Sequence, residues 1–201
     1  IEDLRANGRP LDVKFTGELR DNQQMAVNAM HTHDCGILSA ATAFGKTVVG
    51  SNMIAERKIS TLILLESSAL IEQWQDALVR FLKFGEEPPE YETKSGRKKR
   101  RKSVIGLIHG PKDTSTGIVD IAMAGSLCKK GEFHSRLREY GMVLVDECHH
   151  SASDTLRSVL QEVPARYVYG VTATPFRGDG LEKINEMLLG PVRLQYSAKK
   201  K

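Results

Sequence analysis

Four short runs constrain the fold more than anything else in the chain: "GILSA" (36 to 40), "TLILL" (61 to 65), "GMVLVD" (141 to 146) and "RYVYGVT" (166 to 172). They are apolar throughout, without the polar alternation of a half-exposed strand, and stretches of helical spacing separate them. Strands of this kind are buried on both faces, which requires a parallel sheet with helices packed above and below. The fold class is therefore α/β, an open and mostly parallel sheet with helices on both faces. In such sheets ligands bind beyond the carboxyl ends of the strands, so the residues just after each run carry the functional argument.

The helical stretches fall where this layout needs them. Leu19, Met25, Ala29 and Met30 share one face over 19 to 31. Residues 46 to 57 form a second helix. Leu70, Ile71, Trp74, Ala77, Leu78, Phe81 and Leu82 recur at steps of three and four, with Trp74 in the core. Further strands are predicted at 104 to 109, 117 to 123 and 192 to 196. Further helices are predicted at 132 to 139, 153 to 162 and 181 to 189. Residues 84 to 103 break the rhythm with "GEEPPE" and the basic run "KSGRKKRRK", and read as an inserted loop or hairpin. A solvated loop is the ordinary reading of such a run, and a contact with a phosphate backbone is the other.

At 201 residues, with 40% hydrophobic and 27% charged residues, the chain is long enough for one sizeable core. No apolar stretch approaches the roughly 18 residues of a membrane span, and no signal segment opens the chain. Cys35, Cys128 and Cys148 are odd in number and far apart, which suits reduced thiols in the cytoplasm. His31, His33, Asp34 and Cys35 crowd together between a helix end and a strand start, where a solvated loop is a better reading than a metal site.

Three strand ends carry chemistry. After the first, Ala40 to Thr47 has the spacing of a phosphate loop, G-x-x-x-x-G-K-[ST], with alanine in the first glycine position. Backbone N–H groups around Thr42, Ala43, Phe44, Gly45, Lys46 and Thr47 can wrap phosphates at the helix start. Lys46 can neutralise the terminal phosphates of ATP, and the Thr47 hydroxyl can ligate Mg²⁺. After the third run, Asp146 and Glu147 leave a buried strand, where carboxylates need a partner. Asp146 is expected to hold the magnesium ion through water, and Glu147 to polarise the attacking water. After the fourth, Thr172 and Thr174 can hydrogen-bond the carboxylates or His149. If the position of Ala43 requires a left-handed backbone it costs roughly 1 kcal/mol, and Phe44 is expected to add bulk beside the nucleotide.

Taken together, "TAFGKT", "DECHH" and "TAT" resemble, in order and spacing, motifs I, II and III of the first motor domain of superfamily 2 helicases and translocases. The likeness runs from about Leu19 to Tyr196. It implies a RecA-like P-loop NTPase domain over 18 to 197, an N-terminal lead-in over 1 to 17, an inserted basic loop over about 85 to 103, and a second RecA-like domain absent from this chain. The "LRxYQ" element of relatives implies adenine recognition by Gln23. "LLESSALIEQW" and "MAGSL" resemble motifs Ia and Ib, which implies contacts of Ser67, Ser68 and Ser126 with the nucleic-acid backbone. His149, Thr172 and Thr174 would pass the state of the nucleotide to that surface. "DECHH" with "GVTATPFRGDG" is most similar to xeroderma pigmentosum B-type helicases and restriction-system motors, which favours DNA over RNA. A small-molecule kinase and an inactive DNA-binding scaffold are the competing readings; the first lacks a second substrate pocket, and Lys46, Asp146 and Glu147 argue against the second.

Overall fold

The computed structural model describes residues 3–148, 153–173 and 181–197, with the side chains of 181 and 182 left out. In chain order its strands are β1 (Val13–Phe15), β2 (Cys35–Ala40), β3 (Thr61–Leu65), β4 (Leu82–Phe84), β5 (Glu90–Glu92), β6 (Lys98–Arg100), β7 (Ile105–His109), β8 (Lys112–Asp113), β9 (Val119–Met123), β10 (Cys128–Lys129), β11 (Glu132–Phe133), β12 (Met142–Asp146), β13 (Tyr167–Thr172) and β14 (Val192–Tyr196). The helices are α1 (Asp21–His31), α2 (Lys46–Arg57), α3 (Ala69–Phe81), the single turn α4 (Ala124–Leu127), α5 (Asp154–Glu162) and α6 (Leu181–Leu189).

Eight strands form the central sheet in the order β14-β2-β13-β12-β3-β9-β7-β8, and only β8 runs antiparallel to its neighbour. The period of two along each strand divides the core. Ile63 and Leu65 of β3 and Met142 and Leu144 of β12 pack on one face with α1, α2 and α3. Leu62, Leu64, Val143 and Val145 pack on the other face with Leu137, Leu156 and Val159. This two-sided burial is what unbroken apolar runs require. Among the described residues, no helix is long and apolar enough to cross a membrane.

Three features depart from the sequence reading or extend it. The helix expected at 132 to 139 is a tight hairpin, β10–β11, followed by a 3₁₀ turn over Ser135–Arg138. Lys130 and Gly131 both take positive φ, 52° and 82°, as a two-residue hairpin turn demands, and that turn diverts the chain before a helix can start. The lead-in is not a loose tail: Leu11 and Val13 join the main core, and β1 pairs with β4. Residues 90 to 100 form a two-stranded hairpin separate from the main sheet.

Gly50 of α2 has a specific reason to lack a side chain. A Cβ there would lie 2.6 Å from Cη2 of Trp74, whose ring is fully buried. Replacing a helical glycine by alanine normally stabilises by about 1 kcal/mol, but overpacking a rigid core costs about 1–3 kcal/mol. We expect Gly50→Ala to lower the thermal midpoint, and to lower it less in a Trp74→Phe background. A raised midpoint for the single variant would show that the ring does not press on α2.

Candidate active site at the carboxyl rim of the sheet

The parallel register sets three strand ends side by side. Thr172 of β13 is opposite Ser39 of β2, and Asp146 of β12 is opposite Val171 of β13. Ala40, Asp146 and Thr172 therefore end on one rim, and the chain leaves each strand there.

From β2 the chain enters a single 3₁₀ turn over Thr42–Phe44 and then α2. Gly45 joins the two in a left-handed conformation, φ 83°, ψ 48°, open to glycine at no steric penalty. Ala43 is not among the residues with positive φ, so the alanine carries none of the left-handed penalty considered above. Phe44 also differs from expectation. Its side chain is buried and packs on Tyr196 of β14, ring centroids 5.0 Å apart, so its bulk goes into the core. Its carbonyl faces α1, accepting hydrogen bonds from Gln23 Nε2 at 2.9 Å and from the Arg20 guanidinium. Gln23 Oε1 in turn accepts from the Arg20 N–H at 3.0 Å. In this structure the Gln23 carboxamide uses both of its polar ends, Nε2 to tie the loop to α1 and Oε1 to cap the start of α1 itself.

Lys46 begins α2, only 7% exposed, and its Nζ donates to the Ala40 carbonyl at 3.2 Å. Thr47 beside it is buried. Across the rim, Asp146 is 4% exposed. Its Oδ2 accepts from Trp74 Nε1 at 2.7 Å and its Oδ1 from the Glu147 N–H at 2.8 Å. Burial pushes the Asp146 carboxyl above its ordinary range, while these two donors and the charge of Lys46 pull it down. Lys46, bonded to the last residue of β2, and Asp146, the last residue of β12, thus stand on the same rim of the sheet.

Glu147 holds a left-handed backbone, φ 53°, which costs a non-glycine residue roughly 1–2 kcal/mol. That turn carries its carboxylate toward the next strand end, where Oε2 accepts from the Ala173 N–H at 3.5 Å. Cys148 is buried against Gly170 of β13, and burial raises its thiol well above its usual range, so it packs as a small apolar group. His149 and Thr174 lie outside the described residues.

Further along the rim is an open cavity of about 470 Å³, lined by Glu66, His109, Gly110, Ser126 and Ser153 among others. Ser126 Oγ accepts from the Gly110 N–H at 2.8 Å, and the Ser153 hydroxyl donates to Glu66. Ser67 and Ser68 lie exposed at the head of α3, outside that lining. Among the described residues no group of three or more His, Cys, Asp or Glu is arranged to hold a metal. Asp34 instead pairs with Arg5 at 3.0 Å, so the crowded stretch before β2 is a surface loop.

The profile of the family described as "Type III restriction enzyme, res subunit" matches residues 16–177. The chain belongs to that family. It is 30% identical over 192 residues to the putative helicase 109L of Invertebrate iridescent virus 3, covering 94% of this chain and 55% of that protein. It is 29% identical to the DNA 3'-5' translocase XPB2 of Sulfurisphaera tokodaii, covering 90% of this chain and 36% of that protein. The fold is also that of the SWI2/SNF2 ATPase core of Sulfolobus solfataricus, solved with double-stranded DNA: TM-score 0.64, 15% identity, covering 90% of this chain and 37% of that one. The UvsW helicase of bacteriophage T4 matches at TM-score 0.63 and 15% identity, covering 89% of this chain and 61% of that one. The fold is therefore that of a RecA-like helicase core, and the chain spans about half or less of the curated relatives it matches.

Trp74 is the site residue that sequence reasoning missed. Its spacing within α3 marks it as core, which it is, but its indole N–H also holds Asp146 in place. Trp74→Phe keeps most of the volume and removes the donor. Losing a hydrogen bond to a charged group costs about 1.5–3 kcal/mol, which in a chain of this size lowers the thermal midpoint by roughly 3–12 °C. Calorimetry checks it, and an unchanged midpoint would mean that Asp146 does not depend on this bond.

Proposed function

We propose that this chain is the ATP-binding unit of an ATP-dependent DNA helicase or translocase. One observation carries the reading: parallel pairing sets the ends of β2, β13 and β12 on one rim, where Lys46 at the head of α2 bonds the last residue of β2 and Asp146 ends β12. Membership of a restriction-motor family and likeness to a DNA translocase support the choice of DNA.

In this reading the N–H groups that open α2 bind the phosphates of ATP, and the Lys46 ammonium turns from the Ala40 carbonyl to the terminal phosphates. The donor set suits magnesium, a hard cation that prefers oxygen: the Thr47 hydroxyl at the helix start, and an Asp146 carboxylate oriented by two N–H groups. When bound, the ion supplies charge neutralisation for the transferred phosphoryl group. Glu147 takes the proton of the attacking water. Its bond to the Ala173 N–H links the acid pair to the third strand end, and through Thr172, Thr174 and His149 a change at the phosphates reaches the groove beside Ser126. Ser67 and Ser68 offer further hydroxyls to a DNA backbone. A second RecA-like domain completes the motor and brings an arginine to the γ-phosphate, a contribution of roughly 10³–10⁵ in turnover.

Two variants test this. In the purified chain Lys46→Ala is expected to abolish ATP binding by titration calorimetry, whereas Glu147→Gln is expected to bind ATP as wild type does and to lose hydrolysis once the chain is joined to a second motor domain. Equal ATP affinity in wild type and Lys46→Ala would reject the site. Absence of DNA-stimulated hydrolysis when the chain is joined to a second motor domain would reject the motor.

A further inference from the structure

The insertion between β4 and β7 has a built face that the motor site does not use. Its hairpin pairs Glu90 with Arg100, Tyr91 with Lys99 and Glu92 with Lys98. Backbone bonds from Thr93 N–H to the Arg97 carbonyl and from Arg101 N–H to the Pro89 carbonyl extend the same register at both ends. The tip is ordered by Gly96, φ 76°, and by the Thr93 hydroxyl, which accepts from the Arg97 N–H at 3.1 Å. Side chains alternate across a strand pair, so this register sorts the charges onto two faces.

On one face Lys98 and Arg100 stand beside Glu90 and Glu92, and Arg100 also bonds Glu87. That face is compensated. The other face carries Arg97, Lys99 and Arg101 with Tyr91, and no acid. Residues two apart on a strand are about 6.8 Å apart, so the three cations form a row about 14 Å long. Arg101 anchors the row: its guanidinium lies 4.1 Å from the centre of the Tyr91 ring and donates to the Asp113 carbonyl of β8 at 3.4 Å. The hairpin is thereby tied to the β8 edge of the sheet. That is the edge whose β7–β8 turn, His109 and Gly110, lines the groove at the rim. Lys129 donates to the Gly110 carbonyl at 3.0 Å, so a further cation stands at that turn.

A lone two-stranded hairpin is marginally stable, and like charges along one face weaken it further. A row with no acid to offset it gains most from a polyanion. We propose that the Arg97–Lys99–Arg101 face of this hairpin is a second DNA contact, gripping the phosphate backbone of duplex beside the groove. The choice of DNA as the polyanion rests on the motor reading; the uncompensated face does not.

The test is duplex binding by the 201-residue chain, followed by the anisotropy of a labelled 20-base-pair DNA between 50 and 200 mM salt. Arg97→Gln/Lys99→Gln removes two charges from the proposed face. Lys98→Gln/Lys83→Gln removes the same charge from the compensated face and from β4. Each phosphate contact contributes about 0.9 to the slope of log affinity against log salt. The first pair is expected to weaken binding about tenfold and to make the slope shallower by about 2, while the control stays within about twofold. Equal losses in both pairs, or none in the first pair, would overturn the proposal, as would stronger binding of polyglutamate than of duplex by wild type. Failure of the motor reading shows separately, in ATP binding that ignores Lys46→Ala while the anisotropy comparison still separates the two pairs.

Discussion

A carboxylate driven into the end of a buried strand is the constraint around which this molecule is arranged. Desolvation disfavours the ionised form of Asp146, and the structure answers with two N–H donors and one nearby ammonium. One donor comes from the next residue and is available to any chain that turns there. The other comes from α3, 72 residues earlier in the chain, and the ring that carries it lies against Gly50 of α2, where a Cβ would crowd it. α2, α3 and the end of β12 therefore all meet at a single indole.

The sheet supplies the rest of the positioning. Parallel pairing places β2, β13 and β12 in adjacent rows with their carboxyl ends level. Groups more than 100 residues apart in sequence meet without any loop having to carry them there. Strain is kept local: the left-handed backbone at Glu147 turns one carboxylate from its own strand toward the neighbouring one. Such strain persists only where surrounding structure over-determines it, and here the rigid strand ends on both sides do so.

The elements most legible in the sequence are those with one unambiguous signal. β3, α2 and β14 stand at the bounds their patterns indicate, because apolar runs and helical spacing there meet no competing instruction. The hairpin β10–β11 is hidden, since two strands of two residues carry no periodicity and the turn pair Lys130–Gly131 is a weak cue. β1 and β4 are hidden for the same reason, being three residues each. In the site, Lys46 is legible from the loop spacing that places it at a helix start, and Asp146 because a carboxylate at the end of a buried strand is out of place unless it has a partner. Trp74 is not, because its ring satisfies the helical pattern and conceals the donor. The direction of Phe44 is not legible, because the loop spacing constrains where its backbone goes and says nothing about which side its residues fill.

The chain contains one tryptophan, and that one sits against Asp146 with its ring on α2. Its ultraviolet emission is therefore an intrinsic gauge of the rim: any ion or phosphate that alters the field at the carboxylate alters the excited indole too. A dye need not be attached, and no second chromophore of the same kind confuses the signal. The lamp stands beside the acid itself, built in by the fold.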